Sequence, residues 1–256
     1  MIHRLYVHNF RCLENFELQL EGRPSVLLIG RNGCGKSTVG YVLEVLQRLA
    51  RGTNRVKSLF SPEDFARGRS DVPIRLEIDA KLGESDYHYE LALELPLGGR
   101  DLQVAKERLR VDGIDVFARD RAQIELLAPH PGRSSAWGEA SARFKFDTHQ
   151  IALPIIGSGA QSLTWLERLV ILAPVPGRIE GVSQGDSWPT GDLQPDREAA
   201  NLGDWFTGLL AHSPAAYGEI VDYLKEVMPD LKGITNPLVA ERVRRIVVEF
   251  EQGVLV

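Results

Sequence analysis

The sequence predicts an α/β protein in which a glycine-rich loop connects a buried strand to a helix. Residues 25–38, SVLLIGRNGCGKST, carry this prediction, because an apolar run precedes the loop and apolar residues recur at three- and four-residue steps after it. Several runs between residues 74 and 146 alternate apolar and polar residues, which is typical of β-strands. The expected fold is therefore a central sheet with an added antiparallel β subdomain and helices toward the C-terminus.

The first 73 residues are expected to form the start of the α/β core. Alternating apolar residues indicate two strands within residues 2–20, and the apolar run at 26–29 is expected to be a buried strand of the central sheet. A helix is predicted over residues 35–51, with Gly52 as its C-terminal cap. Serine followed by proline at residues 61–62 indicates a further turn of helix.

The middle section, residues 74–150, is expected to form the antiparallel subdomain. The connections between its alternating runs are too short to contain the crossover helices that parallel strands need. Asp112 and Gly113 lie between two such runs and predict a two-residue hairpin turn. Residues 144–146 are expected to close another short strand.

The last section, residues 151–256, is expected to be a helical segment. Two helices are predicted, one over residues 197–210 with Trp205 in its core-facing stripe, and one from Ser213-Pro214 to Pro229. The other expected elements are a short helix at 162–170, a strand at 171–175, a surface loop at 176–195 and a final strand at 239–250.

The glycine-rich loop has a recognisable chemistry. Residues 30–37, GRNGCGKS, match the GxxxxGK[ST] pattern of phosphate-binding loops. Glycines allow tight turns and a close approach of the backbone to a ligand, and the N–H groups at the start of the following helix form an anion site. In this pattern the lysine contacts the β- and γ-phosphates and the serine hydroxyl ligates Mg²⁺, so Ser37 is the predicted metal ligand. The residues expected at this site are Gly30, Asn32, Gly33, Cys34, Gly35, Lys36, Ser37 and Thr38.

Two stretches resemble one group of nucleotide-binding proteins. Residues 32–38, NGCGKST, resemble the N-G-x-G-K-S-T loop of ABC-type ATPases, including the SMC and RecF groups, and differ from the loops of small GTPases and ring-forming AAA+ machines. Residues 2–11, IHRLYVHNFR, resemble the I-x-x-L-x-I-x-N-F-R opening of SMC/RecF-like proteins. The chain therefore resembles the N-terminal part of an SMC/RecF-like ABC-type ATPase, among the AAA-domain ATP-binding proteins of the RecF/OLD-like group.

The resemblance implies a P-loop NTPase fold of ABC/SMC type with a mixed central sheet, ATP and Mg²⁺ as cofactors, and a homodimer that forms on ATP binding. It also implies that Arg11, in the N-F-R element, lies near the nucleotide; an ordinary surface arginine is the alternative interpretation. The Q-loop glutamine of such enzymes would be Gln150 or Gln161.

Other motifs that this resemblance requires are missing after Thr38. They are an L-S-x-G signature, a Walker B strand ending in Asp-Glu, and a switch histidine. The nearest match to a Walker B strand is IVVEFE at residues 246–251, which lacks the aspartate and has Phe250 between its two carboxylates. A β-strand with outward polar residues is the simpler interpretation. The resemblance thus implies ATP hydrolysis only when a further lobe supplies the missing groups.

The composition is that of an ordinary globular protein, with 256 residues, 43% hydrophobic, 25% charged and a formal net charge of −5. No apolar run approaches the length of about 18 residues that a membrane span needs, and the N-terminus has no signal-peptide pattern. The only two cysteines, Cys12 and Cys34, favour a reducing cytoplasm over a disulfide framework.

The function that the SMC/RecF-like resemblance implies is ATP-dependent dimerisation that controls a DNA-linked process, either repair or antiviral defence. A basic loop with Arg55, Lys57, Arg67 and Arg69 is a candidate DNA contact, with a solvated loop as the alternative. One rival function is a nucleotide-gated sensor or scaffold for a partner nuclease. The other is the ATP-binding subunit of a membrane transporter, against which the antiparallel section and the N-F-R opening argue.

Overall fold

A computed structural model describes residues 1–127, 140–156, 165–184 and 194–255. The chain divides into two compact units, Met1–Leu169 and Val170–Val256. The first part of the helix predicted at 162–170 and the candidate glutamine Gln161 lie outside the described residues. Residues 165–167 are helical, but the helix ends there and not at residue 170 as predicted.

In the first unit, the described strands form one sheet of eight strands. They are β1 Ile2–His8, β2 Phe16–Gln19, β3 Ile74–Leu82, β4 Ser85–Glu94, β5 Gln103–Val111, β6 Ile114–Asp120, β7 Gln123–Leu127 and β8 Ala140–Lys145. Their order in the sheet is β2-β1-β3-β4-β5-β6-β7-β8, and every neighbouring pair is antiparallel. The two N-terminal strands and the antiparallel middle section are thus confirmed.

The hairpin between β5 and β6 turns where the sequence predicts. Asp112 and Gly113 have φ angles of +51° and +76°, which is the left-handed conformation that both central residues of a type I′ turn require. Local turn chemistry therefore sets the register in which Val111 pairs with Ile114.

One face of the sheet is covered by a helix, α1 Lys36–Ala50. Leu5 of β1, Leu76 of β3, and Val42 and Leu46 of α1 are buried in the same hydrophobic cluster. Gly52 adopts φ +93°, and its N–H donates to the Leu49 carbonyl while the Thr53 N–H donates to the Arg48 carbonyl. These two bonds make a Schellman cap, which confirms the predicted helix end.

The strand predicted at residues 26–29 is wrong for the described structure. No strand is assigned there, and Leu27 and Ile29 are 81% and 86% exposed, whereas Leu28 packs against the core. The backbone of residues 25–29 has no hydrogen-bond partner in the part of the chain that the structure describes. The predicted mixed central sheet is likewise not found, because all described strands pair antiparallel. The segment at 26–29 was expected to be a strand of that sheet, but no described strand pairs with it.

The described residues of the second unit include two helices, α3 Leu202–His212 and α4 Pro214–Val227, together with short antiparallel strands; the four-residue helix α2 Leu153–Ile156 precedes them in the first unit. The strands are β9 Val182–Gln184, β10 Leu231–Thr235, β11 Leu238–Ala240, β12 Val243–Arg245, β13 Val247–Phe250 and β14 Gly253–Leu255. They form two three-stranded sheets, ordered β10-β13-β14 and β11-β12-β9. Trp205 is partly buried against the cluster of Phe206, Leu231 and Ile234.

Three predictions for this unit need correction. Residues 171–175 are not a strand; Ala173 and Val175 instead donate single hydrogen bonds to the carbonyls of Arg197 and Glu198. The predicted strand at 239–250 is three short strands, because a turn interrupts it at Arg242, which has φ +60°, and Ile246 leaves the strand pairing to donate to the Gly181 carbonyl. The first predicted helix begins at Leu202 rather than at residue 197.

The pairing of β1 with β3 joins the first 73 residues and the middle section in one sheet. The three-part division at residues 73 and 150 stays a prediction, and the two compact units divide the chain after Leu169. No helix among the described residues is long and apolar enough to span a membrane.

Candidate functional site

The loop at residues 30–38 is compact and depends on its glycines. Gly33 and Gly35 have φ angles of +81° and +100°, which residues with a Cβ adopt only with strain. A Cβ on Gly35 would lie 2.6 Å from Cδ2 of Leu13, and a Cβ on Gly30 would lie 2.7 Å from Sγ of Cys34. A Cβ at position 30 or 35 would therefore require the Cys34 or Leu13 side chain to move, and the backbone conformation favours glycine at positions 33 and 35.

The loop presents several free donors in an electropositive surrounding. The backbone N–H groups of Gly33, Gly35, Lys36 and Ser37 have no acceptor within the described ranges. They lie at the N-terminus of α1, whose helix dipole favours negative charge there. Residues 22–43 include two arginines and one lysine but no acidic residue. This arrangement suits an anion such as a phosphate group.

Lys36 closes the loop from its helix side. Its Nζ donates hydrogen bonds of 2.8 Å to the carbonyl oxygens of Gly30 and Arg31, and it lies 3.7 Å from Sγ of Cys34. The ammonium group is thus held over the loop by two carbonyls. It can exchange these neutral acceptors for charged phosphate oxygens, which form stronger hydrogen bonds.

The remaining loop residues differ in exposure. Ser37 is exposed, and its hydroxyl has no partner among the residues described, so it is free to ligate a metal ion. Thr38 is buried, and its Oγ1 lies 3.4 Å from Sγ of Cys12, which makes it a support under the loop. Asn32 and Cys34 are exposed. The structure thus brings the predicted phosphate-loop residues together, and it also reveals Cys12 and Leu13 as supporting contacts that the sequence did not identify.

Arg11 lies beside this loop and is held by two neighbours. Its Nε donates to Oδ1 of Asp64 at 2.8 Å, and its guanidinium carbon lies 3.7 Å from the centre of the Tyr41 ring on α1. In the next residue, Sγ of Cys12 lies 3.1 Å from the position that a Cβ on Gly35 would occupy. The N-F-R element therefore packs against the first turns of α1.

A buried polar cluster lies on the inner face of the sheet. Both carboxylate oxygens of Glu107 accept hydrogen bonds of 2.8 Å from the N–H groups of Ala152 and Leu153, and the Tyr89 hydroxyl donates to one of them at 3.0 Å. Arg119 donates to the carbonyl of Gln150 at 2.7 Å. These contacts anchor the segment that enters the four-residue helix α2 Leu153–Ile156.

Burial dominates the ionisation of this cluster. It raises the pKa of Glu107 despite the opposing N–H donors and Arg119, and it lowers the pKa of Arg119 despite the opposing carboxylate. Burial and the nearby carboxylate raise the pKa of Tyr89 well above its ordinary value. This cluster was not predicted from the sequence, although Glu107 is two residues before buried Leu109 and Arg119 is two residues after buried Phe117, which places both charges on the apolar face.

Two further candidates have ordinary surroundings in the structure. The Gln150 side chain has no hydrogen bond to a described residue, and its backbone bridges to Arg55. In the basic loop, all four cations are exposed, and one of them, Arg67, forms an ion pair of 3.0 Å with Glu14.

The segment at 246–251 lies in an antiparallel hairpin rather than in a parallel sheet. Strand β13 pairs with β10 and β14, and Glu249 pairs with Gly233 and Val254. This geometry fits the interpretation of an ordinary β-strand.

The comparisons with known proteins bear on the N-terminal part of the chain. A family model for the AAA ATPase domain matches residues 1–155, which include the loop, α1, the eight-stranded sheet and the anchored segment after it. No curated protein matches the chain at a significant level.

Proposed function

We propose that this chain, which belongs to the AAA ATPase domain family, binds ATP with Mg²⁺ at residues 30–38. The observation that carries the proposal is the set of free backbone N–H groups at the start of α1, beneath the ammonium group of Lys36. Gly33 and Gly35 would place these donors around the phosphates, Lys36 would bind the terminal phosphates, and Ser37 would hold Mg²⁺. Mg²⁺ would supply charge neutralisation between the phosphates.

The first experiment measures MgATP binding to residues 1–256 by calorimetry. Lys36→Ala is expected to weaken binding at least about tenfold, because it removes a charge-assisted contact to the phosphates. Lys57→Ala, which removes an exposed lysine outside the loop, is the matched control and is expected to bind like the wild type. Equal affinities of the two variants, or no saturable binding by the wild type, would contradict the proposal.

We also propose the finer assignment to the SMC/RecF-like group and a nucleotide-dependent homodimer in the cytoplasm. The N-F-R element supports it, since its arginine stacks on Tyr41 of α1, the helix that follows the glycine-rich loop. The DNA-linked role rests on the resemblance, together with the exposed Arg55, Lys57 and Arg69. DNA affinity that increases with ATP and decreases with salt would support this role, and DNA affinity that depends on neither would oppose it.

Hydrolysis by residues 1–256 alone is expected to be slow. Phosphoryl transfer depends on positioning and charge stabilisation, and the sequence offers no Walker B carboxylate pair to position water. A steady-state phosphate-release assay tests this expectation. Rapid turnover that Lys36→Ala abolishes would overturn it, whereas binding without turnover would favour the sensor or scaffold alternative.

A further inference from the structure

Arg11 lies at the tip of a tight turn beside the phosphate-binding loop. The turn is closed by two backbone hydrogen bonds, from Phe10 N–H to the Leu13 carbonyl at 3.0 Å and from Leu13 N–H to the Phe10 carbonyl at 2.8 Å. Arg11 has φ +54°, a conformation that is uncommon for a residue with a side chain. Its neighbour Cys12 contacts Thr38, so the turn fixes the backbone of Arg11 close to the start of α1.

Asp64 holds Arg11 at both its backbone and its side chain. The Arg11 N–H donates to the Asp64 carbonyl at 2.6 Å, and Nε donates to Oδ1 at 2.8 Å. The other carboxylate oxygen of Asp64, Oδ2, accepts from the Ser61 N–H at 2.9 Å. Asp64 is buried, so its carboxylate is fixed by these contacts and in turn fixes the plane of the guanidinium group.

Tyr41 supports the guanidinium group from the helix. The 3.7 Å distance between the guanidinium carbon and the ring centre is that of a stacked cation–π contact. Tyr41 is four residues after Ser37 and therefore shares its helix face, and long helical side chains lean toward the preceding turn. Arg11 thus lies over the face of α1 that carries the predicted Mg²⁺ ligand, about 6 Å along the helix axis from it.

The two terminal nitrogens of Arg11 are left without a partner among the described residues. Only Nε is used, and the side chain is 39% exposed. The terminal nitrogens of a guanidinium group form a fork that matches two oxygens of a phosphate. An arginine that is fixed on two sides and open on the third is prepared to bind an anion there.

We propose that Asp64 and Tyr41 are positioning residues that orient Arg11 toward the phosphates of the bound nucleotide. This inference rests on the proposed function of the loop. It extends that function to two residues outside the GxxxxGK[ST] pattern. Asp64 lies 26 positions after Thr38, and Tyr41 lies on the helix α1.

The test compares MgATP affinity in Arg11→Ala, Asp64→Asn and the double variant, at a temperature at which all are folded by circular dichroism. The two carboxylate oxygens of Asp64 accept from Arg11 and from Ser61, whereas an asparagine has only one acceptor oxygen. Asp64→Asn is therefore expected to release the guanidinium group of Arg11. Each single variant should weaken binding roughly ten- to hundredfold, the range for a hydrogen bond to a charged group. The double variant should be no weaker than Arg11→Ala alone, because the two residues act through one contact.

Two controls separate positioning from folding. Asp71→Asn removes an equal charge from an exposed site in the segment between α1 and β3, which also contains Asp64, and should leave the MgATP affinity unchanged. Tyr41→Phe keeps the stacked ring and should bind like the wild type, whereas Tyr41→Leu should weaken binding about as much as Asp64→Asn.

Two results would overturn the inference: wild-type affinity in Arg11→Ala or Asp64→Asn, or losses that add in the double variant. Nucleotide binding itself is judged separately by Lys36→Ala. If Lys36→Ala loses binding while the Arg11 and Asp64 variants retain it, only the positioning role fails. If the wild type does not bind MgATP, the proposed function fails as well.

Discussion

Nη1 of Arg119 lies 3.4 Å from Oε2 of Glu107, and neither side chain has any exposed surface. Two backbone N–H groups and the Tyr89 hydroxyl complete the hydrogen bonding of Glu107, while three backbone carbonyls accept from Arg119. A buried ion pair of this kind contributes little over an apolar pair of equal volume, but removing one partner leaves an uncompensated charge. The pair therefore fixes the segment after β8 in one position on the sheet.

Glu107→Gln is expected to lower the free energy of unfolding by about 3–5 kcal/mol, because Arg119 loses its counter-charge in a buried site. Urea unfolding followed by circular dichroism measures this loss. Glu94→Gln is the control, since it breaks an ion pair of 2.8 Å with Arg121 that is exposed on the same sheet. The control should cost less than about 1 kcal/mol. Equal losses in the two variants would contradict the structural role of the buried pair.

The acid dependence of stability should include a contribution from Asp79. Burial opposes ionisation of this carboxyl, but hydrogen bonds and charges from His88 and Arg4 outweigh burial and lower the pKa of Asp79. Because the folded pKa is below the unfolded value of about 3.9, the unfolded state binds more protons and stability increases with pH in this range. The stabilisation is complete above about pH 4–5 and is lost as the pH falls through the folded pKa.

Asp79→Asn should therefore destabilise the protein at pH 6 and have a progressively smaller effect below pH 4. Urea midpoints measured from pH 6 to pH 2.5 provide the comparison. A difference between wild type and variant that stays constant over this range would show that the Asp79 charge is not the source of the stabilisation.

Leu27 and Leu28 are adjacent residues of one type with opposite surroundings, since the first is 81% exposed and the second packs against the core. Leu27→Ala is expected to change the free energy of unfolding of residues 1–256 by less than about 0.5 kcal/mol. Leu28→Ala should cost about 1–3 kcal/mol, because it removes partly buried contacts. Chemical unfolding of both variants tests the placement of segment 25–29, and a larger loss in Leu27→Ala would show that this segment has a neighbour.

Cys34 offers a chemical test of the loop, because its Sγ lies next to Gly30 and Lys36. Alkylation of Cys34 with N-ethylmaleimide is expected to abolish MgATP binding, since the added group would occupy space needed by the phosphates. The experiment uses Cys12→Ser protein, in which Cys34 is the only thiol, with Cys34→Ser protein as the control. ATP should slow the labelling of Cys34. Full labelling at Cys34 with unchanged ATP affinity would place the phosphates elsewhere.

Several elements were predictable because they depend on local sequence. The Asp112-Gly113 hairpin and the end of α1 at Gly52 follow from backbone conformations that few residues adopt, and these residues provide them. The 26–29 segment could not be predicted in the same way, since an apolar run indicates a buried strand only if neighbouring strands are present to pair with it. The charges at positions 107 and 119 interrupt an alternating apolar pattern, and sequence alone does not show that they neutralise each other.

The sequence by itself determined the glycine-rich loop and the phosphate binding that we propose for it, because the spacing of Gly30, Gly33, Gly35, Lys36 and Ser37 is a local property. It also determined the antiparallel middle section through strand alternation and short connections. Only the tertiary structure decided which residues support the loop. Arg11 meets Asp64 across 53 positions and Cys12 meets Thr38 across 26, and such contacts form only when segments distant in the chain pack together. Long-range packing, rather than any pattern in the chain, selects these partners.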